Sequence, residues 1–157
     1  MYDFSFHRPS SVDDAAAMLA RSEDAKVMSG GMTLIPTLKQ RLAQPSDIID
    51  LGALKNVGIT VGGDKVTIKA GTPHAVVAAS AEVAKAIPAL AKLAGGIGDP
   101  HVRNRGTIGG SIANNDPAAD YPAALVGLGA TVVTNKRSIK ADDFFTGMFE
   151  TALAQDE

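Results

Sequence analysis

Apolar and polar positions alternate in short segments along the chain, and the type of segment changes more than once. After an extended start, Ser10-Ser11-Val12-Asp13-Asp14 sets a capping hydroxyl and two acids ahead of the run Ala15 to Ala20. That pattern predicts a first helix whose N-terminal dipole end meets negative charge. Lys26-Val27-Met28 predicts a short strand ending at Ser29-Gly30-Gly31, and Thr33 opens a second helix to about Ala43, with Pro36 in its first turn. Asp47 to Leu51 predicts another strand, so residues 1–55 form a small β-α-β-like lobe.

The pattern changes at Lys55-Asn56-Val57-Gly58. Ile59-Thr60-Val61 and Lys65 to Ala70 flank Gly62-Gly63-Asp64, and the second run alternates strictly, which predicts an antiparallel hairpin. Thr72-Pro73 opens a helix to about Ala79, and Ile87-Pro88 opens another that stops at Gly95-Gly96. From Gly98 to Asp120 the chain is rich in Gly, Asn, Asp and Pro and is expected to be irregular, lining a site. Asp120-Tyr121-Pro122 caps a short helix and Ala130 to Thr134 predicts a last strand, so residues 56–157 make a second lobe. There is no internal repeat and no low-complexity segment.

Composition narrows the function classes. With 45% hydrophobic and 20% charged side chains among 157 residues, the chain has enough apolar surface for a real core. A net charge of -2 gives no basic footprint for a phosphate-backbone partner, so nucleic acid is disfavoured. Zero cysteines exclude disulfides, iron–sulfur ligation and thiolate zinc sites within these residues. Met1 to Pro9 lacks the basic region and apolar run of a signal peptide, and the stretch Ala123 to Val133 is too short to span a membrane. A cytoplasmic protein without a transmembrane segment is expected.

Two segments carry candidate chemistry. In Ser29-Gly30-Gly31-Met32-Thr33, between a strand and a helix, the glycines allow positive φ and close backbone approach, so that successive N–H groups face a phosphate. The alternative is a tight turn without a ligand. Arg103 to Asp120 combines Gly106, Gly109 and Gly110 with the hydroxyls of Thr107 and Ser111, the amides of Asn114 and Asn115 and the Asp120 carboxylate. A diphosphate and a ribityl chain require such donors and acceptors. No Gly-Lys pair and no Gly-x-Gly-x-x-Gly occurs, which argues against Walker A and Rossmann sites. His7, His74 and His101 lack metal-ligand spacing and read as surface or capping residues. Arg103 and Arg105 read as partners of acids or carbonyls, with a phosphate or partner contact as the alternative. No catalytic nucleophile, carboxylate pair or metal site is indicated.

These residues together carry a resemblance. Phe4-x-Phe6-x-Arg8-Pro9-x-Ser11, Ser29-Gly30-Gly31-Met32-Thr33-Leu34, Val102 to Ile112 and Asp116-Pro117-Ala118-Ala119-Asp120 resemble the FAD subunit of aerobic carbon monoxide dehydrogenases and the FAD domain of xanthine dehydrogenases, in the molybdenum hydroxylase family. The resemblance implies an α+β, two-lobed fold of the vanillyl-alcohol-oxidase (PCMH) type, a small parallel-sheet lobe plus an antiparallel-sheet lobe with helices, FAD lying between. It implies that the Ser29 to Thr33 backbone and Thr107, Ile108, Gly109, Gly110 and Ser111 hold the diphosphate, that Asp120 meets the ribityl or adenosine-side hydroxyls, and that Ile97 lies near the flavin or adenine. Electrons would pass from iron–sulfur clusters through FAD to an external acceptor. The clusters and molybdopterin would sit in partners, an iron–sulfur small subunit and a molybdopterin large subunit. The family's C-terminal domain would lie beyond these residues. The alternative is an assembly module of the same fold that holds no flavin. The molybdenum partner's substrate, the electron acceptor and the oligomeric state stay open.

Overall fold

The computed structural model describes residues 1–157. Its N-terminal part is a three-stranded parallel sheet built from β1 (Ser5–His7), β2 (Lys26–Met28) and β3 (Asp47–Asp50) in the order β1-β3-β2. Phe6 pairs with Ile48, and Val27 pairs with Ile49. Successive strand residues point to opposite faces, yet Ile48 and Ile49 are both buried, so both faces of the central strand are covered. Helix α1 (Val12–Leu19) covers one face through Ala15, which joins Ala25 and Ile49 in a small core. The expected cap is present: Ser11 Oγ accepts from the Asp14 N–H at 3.0 Å, while the Asp14 carboxylate accepts from the Ser10 N–H at 2.9 Å. Helix α2 (Leu34–Lys39) ends earlier than the sequence suggests, where Arg41 takes a left-handed φ of 59°. A 3₁₀ turn, Leu51–Leu54, closes this part.

The chain then forms the expected hairpin, β4 (Ile59–Gly62) and β5 (Lys65–Ile68), turning at Gly63 with φ +59°. Helices α3 (His74–Ala79), α4 (Ala81–Ala86), α5 (Pro88–Gly96), α6 (Pro100–Arg105), α7 (Ile108–Asn114) and α8 (Asp120–Gly127) follow. The end consists of β6 (Thr131–Val133), β7 (Ser138–Lys140), α9 (Ala141–Phe144), β8 (Phe145–Gly147) and β9 (Glu150–Thr151). The antiparallel content is three separate two-stranded pairs, β4-β5, β6-β7 and β8-β9. They surround one apolar core in which Val77, Val83, Leu90, Ala94, Ile112, Tyr121, Leu125 and Phe144 meet. No helix is long and apolar enough to cross a membrane.

The segment 98–120, expected to be irregular, instead holds two helices. Asp99 caps α6 by accepting from the His101 N–H, and Pro100 occupies its first turn. Thr107 caps α7 in the same way, accepting from the Gly110 N–H at 3.1 Å. Gly109 is helical because α7 lies against the end of β5: a Cβ there would be 2.6 Å from the Ala70 Cβ, and its N–H donates to the Ala70 carbonyl. Glycine-rich composition thus marks close packing in this stretch. His74 departs from the surface or capping role expected of it, since it is 4% exposed with its ring against Tyr121 at 5.2 Å between centroids. Burial holds its imidazole below the ordinary range and pushes the Tyr121 hydroxyl up.

Candidate functional site

The two ends of the candidate chemistry meet where the parallel sheet abuts α6 and α7. The β2 strand delivers Ser29 and Gly30 to this seam, and the α6–α7 junction delivers Arg105 and Thr107. Gly30 has to be glycine, because a Cβ would sit 1.9 Å from the Arg105 carbonyl oxygen. Gly31 turns the chain with φ +74°, a left-handed conformation that glycine adopts without steric cost. Across the seam Thr107 Oγ1 donates to Ser29 Oγ at 3.1 Å, joining residues 78 apart in sequence. Thr107 is fixed by its cap and by pairing across from Pro73, with the Ile108 N–H donating to the Thr72 carbonyl and the His74 N–H to the Gly106 carbonyl.

Ser29, Gly30, Gly52, Pro73, Asn104, Arg105 and Thr107 line a cleft of about 150 Å³ at this seam. The lining is polar, and Arg105 is exposed and belongs to none of the ion pairs of the chain. Beside the cleft, the N–H groups of Ser29, Gly30, Gly31, Met32 and Thr33 donate to no carbonyl of the chain. Five consecutive N–H groups are thereby left for water or an added acceptor, the donor supply an anion requires. The cleft is the size for a diphosphate and too small for a three-ring flavin. The residues present fit a phosphate-bearing group by charge and by donor supply.

The sequence-derived candidates distribute unevenly. Ser29, Gly30 and Thr107 are brought together, and Gly110 adjoins them, since a Cβ on it would be 3.0 Å from Thr107 Oγ1 and 4.0 Å from the Ser29 Cβ. Ile108 is buried in the core, and the N–H groups of Ile108, Gly109 and Gly110 are all taken up within the chain. Ser111 is partly buried and its N–H donates to the Thr107 carbonyl. Asp120 is the exposed first residue of α8, and the cap position is Ala119. Ile97 packs partly buried against the main core, and its carbonyl accepts from Arg103. Neither Ile97 nor Asp120 lines the cleft. Arg103 thus pairs with carbonyls, as one of its two readings held, whereas Arg105 faces the seam unpaired. Gly52 and Pro73 were missed by sequence reasoning: no motif surrounds them, and only the fold brings them to the seam.

Known proteins sharpen the picture. The family model described as the FAD binding domain in molybdopterin dehydrogenase matches residues 2–157. The nicotine 6-hydroxylase medium subunit of Paenarthrobacter nicotinovorans is 41% identical over 154 residues, covering 95% of this chain and 54% of that protein. The carbon monoxide dehydrogenase medium chain of Hydrogenophaga pseudoflava is 40% identical over 160 residues, covering 98% of this chain and 56% of that one. Among solved structures, a carbon monoxide dehydrogenase from Hydrogenophaga pseudoflava superposes with a TM-score of 0.93 at 40% identity, covering 98% of this chain and 55% of that chain. Quinoline 2-oxidoreductase from Pseudomonas putida 86 superposes with a TM-score of 0.92 at 33% identity, covering 98% and 56%. The chain spans about half the length of the relatives it matches.

Proposed function

The chain belongs to the family of FAD-binding domains of molybdopterin dehydrogenases, with FAD as its cofactor, and on that premise we propose that it serves as the FAD-holding electron-transfer component of a molybdenum-containing hydroxylase or dehydrogenase complex. In this reading residues 1–55 and 56–157 are two lobes with FAD between them. Electrons pass from iron–sulfur clusters in a small subunit, reduced by a molybdopterin large subunit, through FAD to an external acceptor. A cytoplasmic complex is part of the same reading. FAD supplies the redox chemistry; this chain binds and orients it.

The observation that carries the reading is the run of five N–H groups, Ser29 to Thr33, without a carbonyl acceptor in the chain, beside the seam closed by Thr107. They are the donors for the diphosphate, with the exposed Arg105 adding positive charge at the same cleft. Thr107 forms the opposite wall with Gly110 adjoining it, and Ile108, Gly109 and Ser111 build the helix that supports it. Asp120 takes the ribityl or adenosine-side hydroxyls, and Ile97 lies toward the flavin or adenine. Reconstitution with excess FAD tests this directly. A bound-flavin absorption spectrum and a thermal shift are expected, and Gly110→Val, whose side chain enters the space beside Thr107 Oγ1 and Ser29, abolishes both while the fold persists. Wild-type protein that stays colourless with no thermal shift would instead be an assembly module of the same fold.

A further inference from the structure

Ser29 presents a hydroxyl whose polarity is set from the other side of the seam. An amide N–H can only donate, so Thr107 Oγ1 accepts from Gly110 at 3.1 Å. A threonine hydroxyl has one hydrogen, and the geometry directs it to Ser29 Oγ at 3.1 Å. Ser29 Oγ therefore accepts there, and its own hydrogen has no acceptor in the chain. Ser29 and Thr107 both line the cleft that Gly30, Asn104 and Arg105 complete. The donor chain thus runs from the Gly110 N–H through Thr107 to Ser29, and ends in the cleft.

We infer that Thr107 is a positioning residue that orients the Ser29 hydroxyl as a donor to a phosphoryl oxygen of the FAD diphosphate. This inference rests on the diphosphate reading of the cleft and deepens it. Thr107 acts through Ser29, and its capping of α7 is what frees its hydrogen for that task. Because the pair joins the parallel sheet to α7, the donor is in place only when the seam is closed. A hydrogen bond to a charged acceptor is worth enough that its loss weakens binding on the order of tenfold.

The test is a double-substitution cycle read by calorimetric titration of FAD and, separately, of ADP. Ser29→Ala and Thr107→Val are each expected to weaken both ligands on the order of tenfold. The double variant should be no weaker than either single, and Thr107→Ser should restore near-wild-type affinity. A role of Thr107 in the α7 cap alone lowers thermal stability in both backgrounds and multiplies the affinity losses, which would overturn the inference. Unchanged affinity in Ser29→Ala, a variant that leaves the core and the cap intact, overturns it equally. Wild-type protein that binds neither FAD nor ADP removes the underlying reading, an outcome separable from failure of the cycle.

Discussion

The carbonyl of Arg105 occupies the place that a side chain on Gly30 would need, 1.9 Å from where a Cβ would stand. Neither backbone can retreat easily. Gly30 follows a strand paired with β3, and Arg105 ends a helix whose last turn is bonded to Gly106. Gly30→Ala should therefore force the seam apart, destabilising the protein by about 1–3 kcal/mol. Chemical denaturation measures this, and FAD affinity should fall in parallel. A variant as stable as wild type would show that the two parts of the chain slide freely at this point.

The size of the cleft predicts an order of nucleotide affinities. Its lining of Ser29, Gly30, Asn104, Arg105 and Thr107 suits a diphosphate and leaves no room for a three-ring flavin. ADP should compete nearly as well as FAD itself binds, and FMN should bind poorly. Calorimetric titration of the three decides it: FMN binding more tightly than ADP would assign the glycine segments to the wrong end of the cofactor.

Asn115 ends α7 in the left-handed region at φ 45° and is 7% exposed. Its side-chain amide donates to the carbonyls of Gly147 and Glu150 at 2.8 Å each, and its own carbonyl accepts from the Phe149 N–H at 3.0 Å. Asn115→Leu removes both amide donors and strains the backbone, so a loss of about 2–4 kcal/mol is expected by thermal or urea denaturation. Asn115→Gly, which keeps the backbone conformation, should lose less.

His74 Nδ1 and the Tyr121 hydroxyl are buried without a hydrogen-bond partner. Tyr121→Phe removes an unsatisfied polar atom and should leave stability unchanged or raised, whereas a loss above about 1 kcal/mol would reveal a partner for the hydroxyl. His74 is held below its ordinary value of 6.5 by burial. The unfolded chain therefore takes up a proton first as pH falls, so the stability tied to neutral His74 is complete above pH 6.5 and declines below it. Melting temperatures followed from pH 8 to pH 5 should show that decline in wild type and a smaller one in His74→Phe.

Two strands of the parallel sheet, β2 and β3, were legible because each is short, carries apolar residues and is bounded by a glycine or acid signal, whereas Ser5–His7 reads only as an extended start. The sequence also marked Ser29-Gly30 and Thr107 to Gly110 as chemistry, and the fold brings Ser29, Gly30, Thr107 and Gly110 together. The helices of 98–120 were hidden because Gly106, Gly109 and Gly110 look like loop residues until their neighbours are known. Each is a glycine because something stands where its Cβ would go: the His74 Nε2 at 2.7 Å for Gly106, Ala70 for Gly109 and Thr107 Oγ1 for Gly110. For Gly106 and Gly109 that information belongs to residues distant in sequence, and no local pattern contains it. The contribution of Gly52 and Pro73 to the cleft is invisible for the same reason.

Helix α7 begins at the Thr107–Ser29 contact and ends at the Asn115 clamp on the β8-β9 hairpin, whose tip exposes Met148 and Phe149. Seven residues of α-helix make a strut about 10 Å long, too short to bend. One end is bolted to the cleft and the other to an apolar knuckle on the outer surface, so one short helix ties the two together.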